Sequence, residues 1–272
     1  MAPLTTDAFA KEGLKINRKP VNSGSAAVPL ILNGQLQFSA TDATGALTAI
    51  SKGMPLVIVA AASVSGRTPD DDSTAVLVKK NASIRSASDL AGKKVAVNGM
   101  GNISQLSAAA AIDKLGGDSS KVDFVEMPPH AMNGAVGNGA VDAAVTSEPG
   151  VVQGQAAGLR PLLSPMSKAL PGVPIFVYVT SKSYLAEHRD VVEKFARAMT
   201  KANEYAAQHP DFVRSYAKKS SHLTAAQAAD MILPQFPSAT PDKAALQRVV
   251  DTMITYKTIS APIDVDKAVL TP

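Results

Sequence analysis

The 272-residue chain contains no cysteine and no tryptophan, and only 4% of its residues are aromatic. Without cysteine there is no disulfide, no thiolate nucleophile and no cysteine-based metal site. The best candidate for an apolar span, MPLVIVAAASV (54–64), is too short to cross a bilayer and is typical of one buried strand. These absences exclude a disulfide scaffold, a cysteine enzyme and a transmembrane helix.

The chain also has only a small excess of positive over negative charge. The net charge is +4, the isoelectric point is about 9.2, and the lysines are scattered. With no basic cluster and no aromatic platform, nucleic acid is not expected as a partner. The charge supports only a weak preference for an anionic small molecule. A hydrophobic fraction of 46% is enough for one large core or two moderate ones.

Catalytic and metal-binding signatures are missing. SYAK (215–218) matches a serine–lysine pattern without its companion motifs, and GMGNIS (99–104) is not the dinucleotide-binding G-x-G-x-x-G. His130 has no second histidine, cysteine or carboxylate at a metal-ligand spacing. We therefore predict no catalytic residue, no metal and no cofactor.

The hydrophobic pattern predicts alternating strands and helices. Such alternation is typical of an α/β fold with a parallel sheet covered by helices on both faces. From Tyr184 onward the pattern is helical and must pack on one of the lobes. The predicted strands are LKINRKPV (14–21), PLVIVAAAS (55–63), TAVLVKK (74–80), KKVAV (93–97), VDFVEM (122–127), DAAVT (142–146) and PIFVYVTS (174–181), with a further short strand ending at Thr41.

A 21-residue segment occurs twice. Residues 33–53 align with residues 138–158 without a gap, and each copy is a turn, a buried strand ending in threonine, and a helix. Two copies are too few for a solenoid and fit two similar lobes that face each other. The alignment pairs Asn33 with Asn138, Gly34 with Gly139, Thr41 with Thr146, Gly45 with Gly150, and Gly53 with Gly158.

Small polar residues stand where several buried strands give way to helices. In α/β lobes, ligands lie beyond the carboxyl ends of the strands, where helix N-termini favour anions. Ordinary helix capping explains any one of these segments, whereas four together favour a ligand cleft. The candidate binding residues are Ser23 and Ser25, Thr41, Asp42 and Ala43, Asn102, Ile103 and Ser104, and Thr146.

Two charged residues have two interpretations each. Glu148 in TSEPG either accepts a hydrogen bond from the ligand or is an acidic first-turn residue beside Pro149. Arg67 in SGRTPDDD either binds a carboxylate or sulfonate through both guanidinium nitrogens or pairs with Asp70 to Asp72 on a solvated loop. Phe38, Phe176 and Tyr178 are candidates for lining a small aromatic site.

Four segments carry a resemblance to a known family: FAKEGLKI (9–16), TAVLVKKNASIRSASDLAGKKVAV (74–97), GNGAVDAAVTSEP (137–149) and VYVTSKSYLAEHRDVVEKFARAM (177–199). The chain resembles the substrate-binding proteins of ABC importers, in the nitrate/sulfonate/taurine and THI5-like branch. The resemblance implies a type II periplasmic-binding-protein fold, with hinged lobes around a ligand cleft. It also implies a monomer that binds one small solute outside the cytoplasm and delivers it to a membrane permease.

The resemblance predicts the domain boundaries, and the chain departs from the family pattern at its N-terminus. We expect lobe 1 at 1–78, lobe 2 at 79–175, and a return to lobe 1 with C-terminal helices at 176–272. Family members usually begin with an export signal, a first strand and a polar ligand loop. Met1 falls just ahead of the first predicted helix, so all three are expected to be missing from this chain.

The ligand and one competing function stay open. Sulfonate, nitrate, an aromatic carboxylate or a pyrimidine all suit the sequence. The alternative is a cytosolic ligand-sensing module, like the effector half of a LysR-type regulator, which shares the two-lobed fold. An enzyme is the third possibility, although the related pyrimidine-synthesising enzymes depend on a cysteine-rich motif that this chain lacks.

Overall fold

The structure, a computed structural model, describes residues 2–21, 24–237 and 241–270. Contacts within this part of the chain divide it into two units. The first unit contains the residues up to 64, residues 173–210 and the residues from 235; the second contains residues 65–172 and 211–234. The chain therefore passes from one unit to the other four times.

The predicted alternation of strands and helices is confirmed, with helices predominating after the last strand. None of the helices that the structure describes is long and apolar enough to cross a membrane. The strands are β1 (Ser39–Asp42), β2 (Leu56–Val64), β3 (Thr74–Lys79), β4 (Lys94–Val97), β5 (Asp123–Glu126), β6 (Ala143–Ser147), β7 (Leu159–Leu163) and β8 (Pro174–Ser181). The helices are α1 (Ala2–Lys11), α2 (Gly24–Leu32), α3 (Ala43–Ser51), α4 (Ile103–Lys114), α5 (Pro129–Asn138), α6 (Gly150–Ala156), α7 (Pro165–Ala169), α8 (Lys182–Glu187), α9 (Arg189–Gln208), α10 (Pro210–Ser220), α11 (Ala225–Asp230), α12 (Lys243–Thr255) and α13 (Val265–Ala268).

The first unit is built on a three-stranded sheet in which β8 lies between β1 and β2. One face is covered by α9, whose apolar residues recur every three or four positions and form a buried stripe. Phe195 of this stripe stacks on Phe38 with ring centroids 3.8 Å apart, and it also contacts the rings of Phe9 and Tyr178. The scarce aromatic residues are thus concentrated in the core of this unit.

Strand β2 is irregular where it pairs with the first half of β8. Its register with β8 shifts between Ala61 and Ser63 and again between Ser63 and Val64. The Asn203 side chain, which is 1% exposed, donates a hydrogen bond to the Ala61 carbonyl at 2.9 Å. A buried amide from α9 therefore satisfies a carbonyl beside the bulge.

The second unit is built on a five-stranded sheet in the order β5-β4-β6-β3-β7, with a core on each face. Residues of β3 alternate between the two cores: Leu77 packs with Met132 of α5, and Val76 packs with Ile112 of α4. Because both faces are covered, β3 is apolar without interruption. A third cluster joins α6 to α11.

The predicted parallel sheet is wrong in part, since both sheets are mixed. In the second unit β4 is parallel to β5 and β6, whereas β3 is antiparallel to its neighbours β6 and β7. In the first unit β8 is antiparallel to both neighbours. β3 and β8 are the first strands after the chain enters a new unit, so no helical crossover from a neighbouring strand fixes their direction.

Two element predictions also fail. Residues 14–21 form no strand, because this charged stretch with Pro20 has no neighbouring strand and only Leu14 packs against a core. Strand β7 was missed, since GLRPLL is short and contains a proline. Pro161 is accommodated because β7 is an edge strand.

The units differ from the expected domains 1–78, 79–175 and 176–272 in two places. β3 lies within the second unit instead of at a boundary, and residues 211–234 belong to the second unit instead of the first. The reason for the second difference is packing, because Val152 of α6 shares an apolar cluster with Leu223, Ala228 and Met231. The sequence predicted two passages between units instead of four.

Candidate functional site

The two copies of the repeated segment share a threonine–glycine pair but differ in how the helix starts. Helix α3 begins directly after β1 with Asp42 as its side-chain cap, whereas α6 begins at Gly150 without a side-chain cap. Thr41 and Thr146 are 5% and 8% exposed, and each is followed four residues later by a glycine. A Cβ added to Gly150 would lie 2.4 Å from the Thr146 Oγ1, and one added to Gly45 would lie 2.8 Å from the Asp42 Oδ2 and 3.1 Å from the Thr41 Oγ1. In each unit, therefore, the threonine hydroxyl occupies the space beside the glycine Cα at the start of the helix.

The ends of the repeated segment agree as well. Gly34 and Gly139 have φ angles of 78° and 83°, and Gly53 and Gly158 have φ angles of 79° and 85°. All four occupy the left-handed region, which favours glycine. The Asn33 and Asn138 carboxamide oxygens each accept a hydrogen bond from the N–H two residues later, at 3.1 and 3.0 Å. The sequence duplication is thus a structural one.

Asp42 caps helix α3. Its Oδ1 accepts hydrogen bonds from the Gly45 N–H at 2.9 Å and from the Thr44 hydroxyl. Ala43 is the first residue of α3, and its N–H has no acceptor within the helix. The carboxylate already balances the positive end of this helix, which weakens the attraction of α3 for an anion.

Helix α4 has a neutral cap instead. The Asn102 Oδ1 accepts from the N–H groups of Ser104 and Gln105 at 3.0 and 3.1 Å, and its Nδ2 donates to the Asn98 Oδ1 at 2.9 Å. Ile103 is the first helical residue, with its N–H free of an intrahelical acceptor. Because no carboxylate caps this helix, the positive end of α4 is the more favourable of the two for an anion.

The sheet brings α4 and the second threonine to one edge of the second unit. β4 and β6 are parallel neighbours, with Val95 opposite Ala143 and Ala96 opposite Ala144. Their carboxyl ends therefore lie side by side. The Asn102–Ser104 segment follows β4, and Thr146 lies near the end of β6, so these candidates share that edge.

Glu148 is a structural acceptor. Its Oε2 accepts from the Val152 N–H and its Oε1 from the Ile232 N–H, both at 3.2 Å. Burial raises the pKa of the Glu148 carboxyl, against the hydrogen bonds from these two amides and the charge of Arg214. Both carboxylate oxygens thus accept hydrogen bonds from backbone amides, one in α6 and one in the segment after α11. This favours the structural interpretation of Glu148.

Arg214 was missed by the sequence analysis. It lies on α10, where its Nη1 is 2.8, 2.8 and 2.6 Å from the carbonyl oxygens of Ala228, Ala229 and Met231. The Met231–Ile232 peptide is thus held by Arg214 at its carbonyl and by Glu148 at its N–H. An arginine on an amphipathic surface helix carries no sequence signal for such a contact.

Arg67 is exposed and, within the described part of the chain, forms no ion pair with a carboxylate. The expected pairing with Asp70 to Asp72 is therefore wrong. The Asp71 Oδ1 instead accepts from the N–H and hydroxyl of Thr68, and the Asp72 Oδ2 accepts from the Ser167 N–H. The guanidinium lies over Gly172, where an added Cβ would be 2.7 Å from the Arg67 Cζ.

The remaining candidates add little. Ser23 lies outside the described residues, and Ser25 lies in the first turn of α2. In the chain as described, no group of three or more histidine, aspartate or glutamate side chains is arranged to hold a metal ion. The chemistry on offer is hydrogen bonding by threonine hydroxyls and helix-terminal amides.

Comparison with known proteins assigns the family. The family described as NMT1/THI5 like matches residues 6–212, so the chain belongs to it. The taurine-binding periplasmic protein of Escherichia coli strain K12 is 28% identical over 207 residues, which cover 75% of this chain and 62% of that protein. The match thus spans less than two thirds of that relative's length.

Solved structures show the same fold. The alkanesulfonate-binding protein SsuA from Xanthomonas axonopodis pv. citri, bound to MOPS, has a TM-score of 0.78 at 17% identity, covering 99% of this chain and 91% of its own. The desulfurization enzyme DSZB has a TM-score of 0.70 at 14% identity, covering 98% and 92%. The predicted periplasmic-binding-protein fold, an α/β fold of two lobes, is confirmed, and both binding proteins and an enzyme use it.

Proposed function

We propose that this protein is the solute-binding component of an ABC importer and that its solute is a small anion, a sulfonate first of all. The observation that supports this most is the repeated threonine–glycine junction, present once in each unit of a chain from this family. The taurine-binding relative and the alkanesulfonate-binding structural neighbour both bind sulfonates by name. Nitrate and carboxylates are the other anions considered.

The chemistry of binding follows from the helix termini and the hydroxyls. The anionic group is bound chiefly by the second unit, where the Ile103 N–H, the Ser104 hydroxyl and the Thr146 hydroxyl lie at one sheet edge. The Asp42 Oδ2, which the cap does not use, is free to accept a hydrogen bond from an amine or hydroxyl group. Thr41 and Ala43 supply further polar contacts, and Arg67 supplies a positive charge.

The partners follow from the same proposal. The loaded protein is a monomer that docks on a membrane permease outside the cytoplasm. The alternative, an effector domain of LysR-regulator character, is less favoured because the family match covers residues 6–212 and the relative is a periplasmic binding protein. We expect no turnover, because no described residue forms an activated nucleophile.

The experiment is calorimetric titration with methanesulfonate, taurine, MOPS, nitrate and benzoate. We expect at least one sulfonate to bind. Thr146→Ala should weaken that binding about tenfold or more, because a hydrogen bond to a charged group is lost. Thr146→Ser keeps the hydroxyl and should bind like the wild type.

Thr255→Ala serves as the remote control, since Thr255 lies exposed on α12 and its hydroxyl bonds only to the Asp251 carbonyl. Failure of every anion to bind would contradict the proposal. Unchanged affinity of the Thr146→Ala variant would remove Thr146 from the site.

A further inference from the structure

Phe176 is an exposed aromatic residue on a central strand. Its side chain is 48% exposed, although β8 has a strand on each side. Phe176 lies opposite Asp42 of β1 and Ser63 of β2. Directly opposite residues in antiparallel strands share a face of the sheet, so these three side chains project from the same face.

Helix α9 covers this face of the sheet as far as Tyr178 but does not cover Phe176. Tyr178, two positions along on the same face, packs against Phe195 of α9 with ring centroids 5.3 Å apart, and burial raises the pKa of its hydroxyl. Phe176 is not part of that aromatic cluster. The Phe176 side chain is therefore left half-exposed at the end of the sheet where β1 and β2 finish and α3 begins.

Two other exposed apolar side chains have simpler settings. Tyr205 and Ile254, at 41% and 37%, lie on helices that turn one face to solvent, where single exposed apolar residues are normal. Phe176 instead lies beside the Asp42–Ala43 junction and next to the register shifts of β2. Bulges of this kind are frequent next to functional sites, where they redirect side chains.

We propose that Phe176 is a specificity-determining residue that contacts the apolar carbon chain or ring of the solute. The inference rests on the proposed function and narrows it to organosulfonates with an apolar group, in preference to short or zwitterionic ones such as taurine. The anion is bound by polar groups, and the ring of Phe176 covers the carbon portion. Binding buries apolar surface of both Phe176 and the solute, which favours the solute with the larger apolar group.

The test is a selectivity measurement by calorimetry with methanesulfonate, taurine, 1-hexanesulfonate and benzenesulfonate. The wild type should bind 1-hexanesulfonate or benzenesulfonate more tightly than methanesulfonate. Phe176→Ala should lower affinity for the preferred sulfonate about tenfold and that for methanesulfonate about twofold or less. Phe176→Leu keeps part of the apolar contact and should fall between the two.

The matched control is Tyr205→Ala, another half-exposed aromatic, which should leave the ratio of affinities unchanged. A variant that weakens all four solutes equally, or none, would show that Phe176 has only a structural role, and sulfonate binding itself would stand. Wild-type protein that prefers taurine or methanesulfonate would overturn the inference alone. Wild-type protein that binds no sulfonate would overturn both the inference and the proposed function.

Discussion

Gly45 and Gly150 are two residues whose identity as glycine has a specific structural reason. Neither has a positive φ, so their backbone conformation does not demand glycine. At Gly150 the demand comes from Thr146, whose Oγ1 lies where a side chain would begin, and at Gly45 it comes first from the Asp42 Oδ2 and then from the Thr41 Oγ1. A buried hydroxyl or carboxylate oxygen can thus lie against the first turn of the helix only if that turn contains glycine at the position of contact.

We expect Gly150→Ala to destabilise the protein by about 1–3 kcal/mol, because the new methyl group would lie 2.4 Å from the Thr146 Oγ1. In the double variant with Thr146→Ala the cost should be smaller than the sum of the two single costs. Unfolding in urea measures all three free energies.

Gly137→Ala is the matched control. Gly137 lies exposed on α5 with no atom within 4 Å of an added Cβ, so alanine should stabilise the helix by up to about 1 kcal/mol. Strict additivity of the Gly150 and Thr146 substitutions would show that the two side chains do not compete for space.

The repeated segment was predictable at this scale, and the roles of its neighbours were only partly so. Alignment alone identified the threonine–glycine pairs and the four turn glycines. It did not separate capping from binding at Asp42 and Asn102, because both roles use the same side-chain oxygen. Arg67 and the three aspartates after it were misassigned because adjacent opposite charges suggest an ion pair, whereas Thr68 and Ser167 bind Asp71 and Asp72.

At the scale of elements, the contact between Glu148 and the segment after α11 joins parts of the chain 84 residues apart. The Met231–Ile232 peptide lies between a carboxylate on one side and a guanidinium on the other. Two residues later the chain leaves the second unit. The last turn of α11 is therefore fixed to α6 and α10 just before that passage.

We expect the contribution of Glu148 to stability to depend on pH. Burial raises its pKa, so the folded protein holds the proton at pH values at which the unfolded chain has released it. That contribution is therefore full below the usual pKa of 4.5 and is lost as the pH rises through the raised pKa.

Urea unfolding of the wild type and Glu148→Gln at several pH values between 4 and about 7.5 measures this effect. The difference in unfolding free energy, wild type minus variant, should grow as the pH falls. A difference that does not change with pH would show that the carboxyl titrates alike in the folded and unfolded states.

The directions of β3 and β8 could not be predicted from the alternation of strands and helices. Alternating strands and helices imply parallel strands only when a helix carries the chain from one strand to a neighbour. β3 and β8 are reached from the other unit instead. Their sequences, TAVLVK and PIFVYVTS, are as apolar as those of parallel strands, because both faces of each are largely covered.

At the scale of the whole molecule, each unit carries one copy of the junction and its own core. The fold was predictable because the alternation extends over most of the chain and the family resemblance fixes its order. The boundaries between the units were not predictable. Residues 211–234 join the second unit through apolar side chains of a kind that every amphipathic helix carries.

We expect a bound sulfonate to slow amide hydrogen exchange at the residues proposed to contact it. The Ala43 and Ile103 amides, which have no acceptor within their helices, should gain protection because they are proposed to contact the solute. Val249 and Val250, in the buried face of α12, should show no comparable change. Hydrogen exchange with mass-spectrometric or NMR detection resolves these segments, and unchanged protection of the Ile103 amide would contradict its proposed contact with the solute.

The four passages between units also govern the order of events during synthesis. The first 64 residues emerge from the ribosome early, yet their core includes Phe195, Met199 and Leu270. The two cores on the faces of the second unit's sheet draw only on residues 75–163, and Leu223 and Met231 cover Val152 later. Domains usually fold in turn as they emerge. In this chain the second unit can therefore close both of these cores first, whereas the first unit must wait until the polypeptide is almost complete.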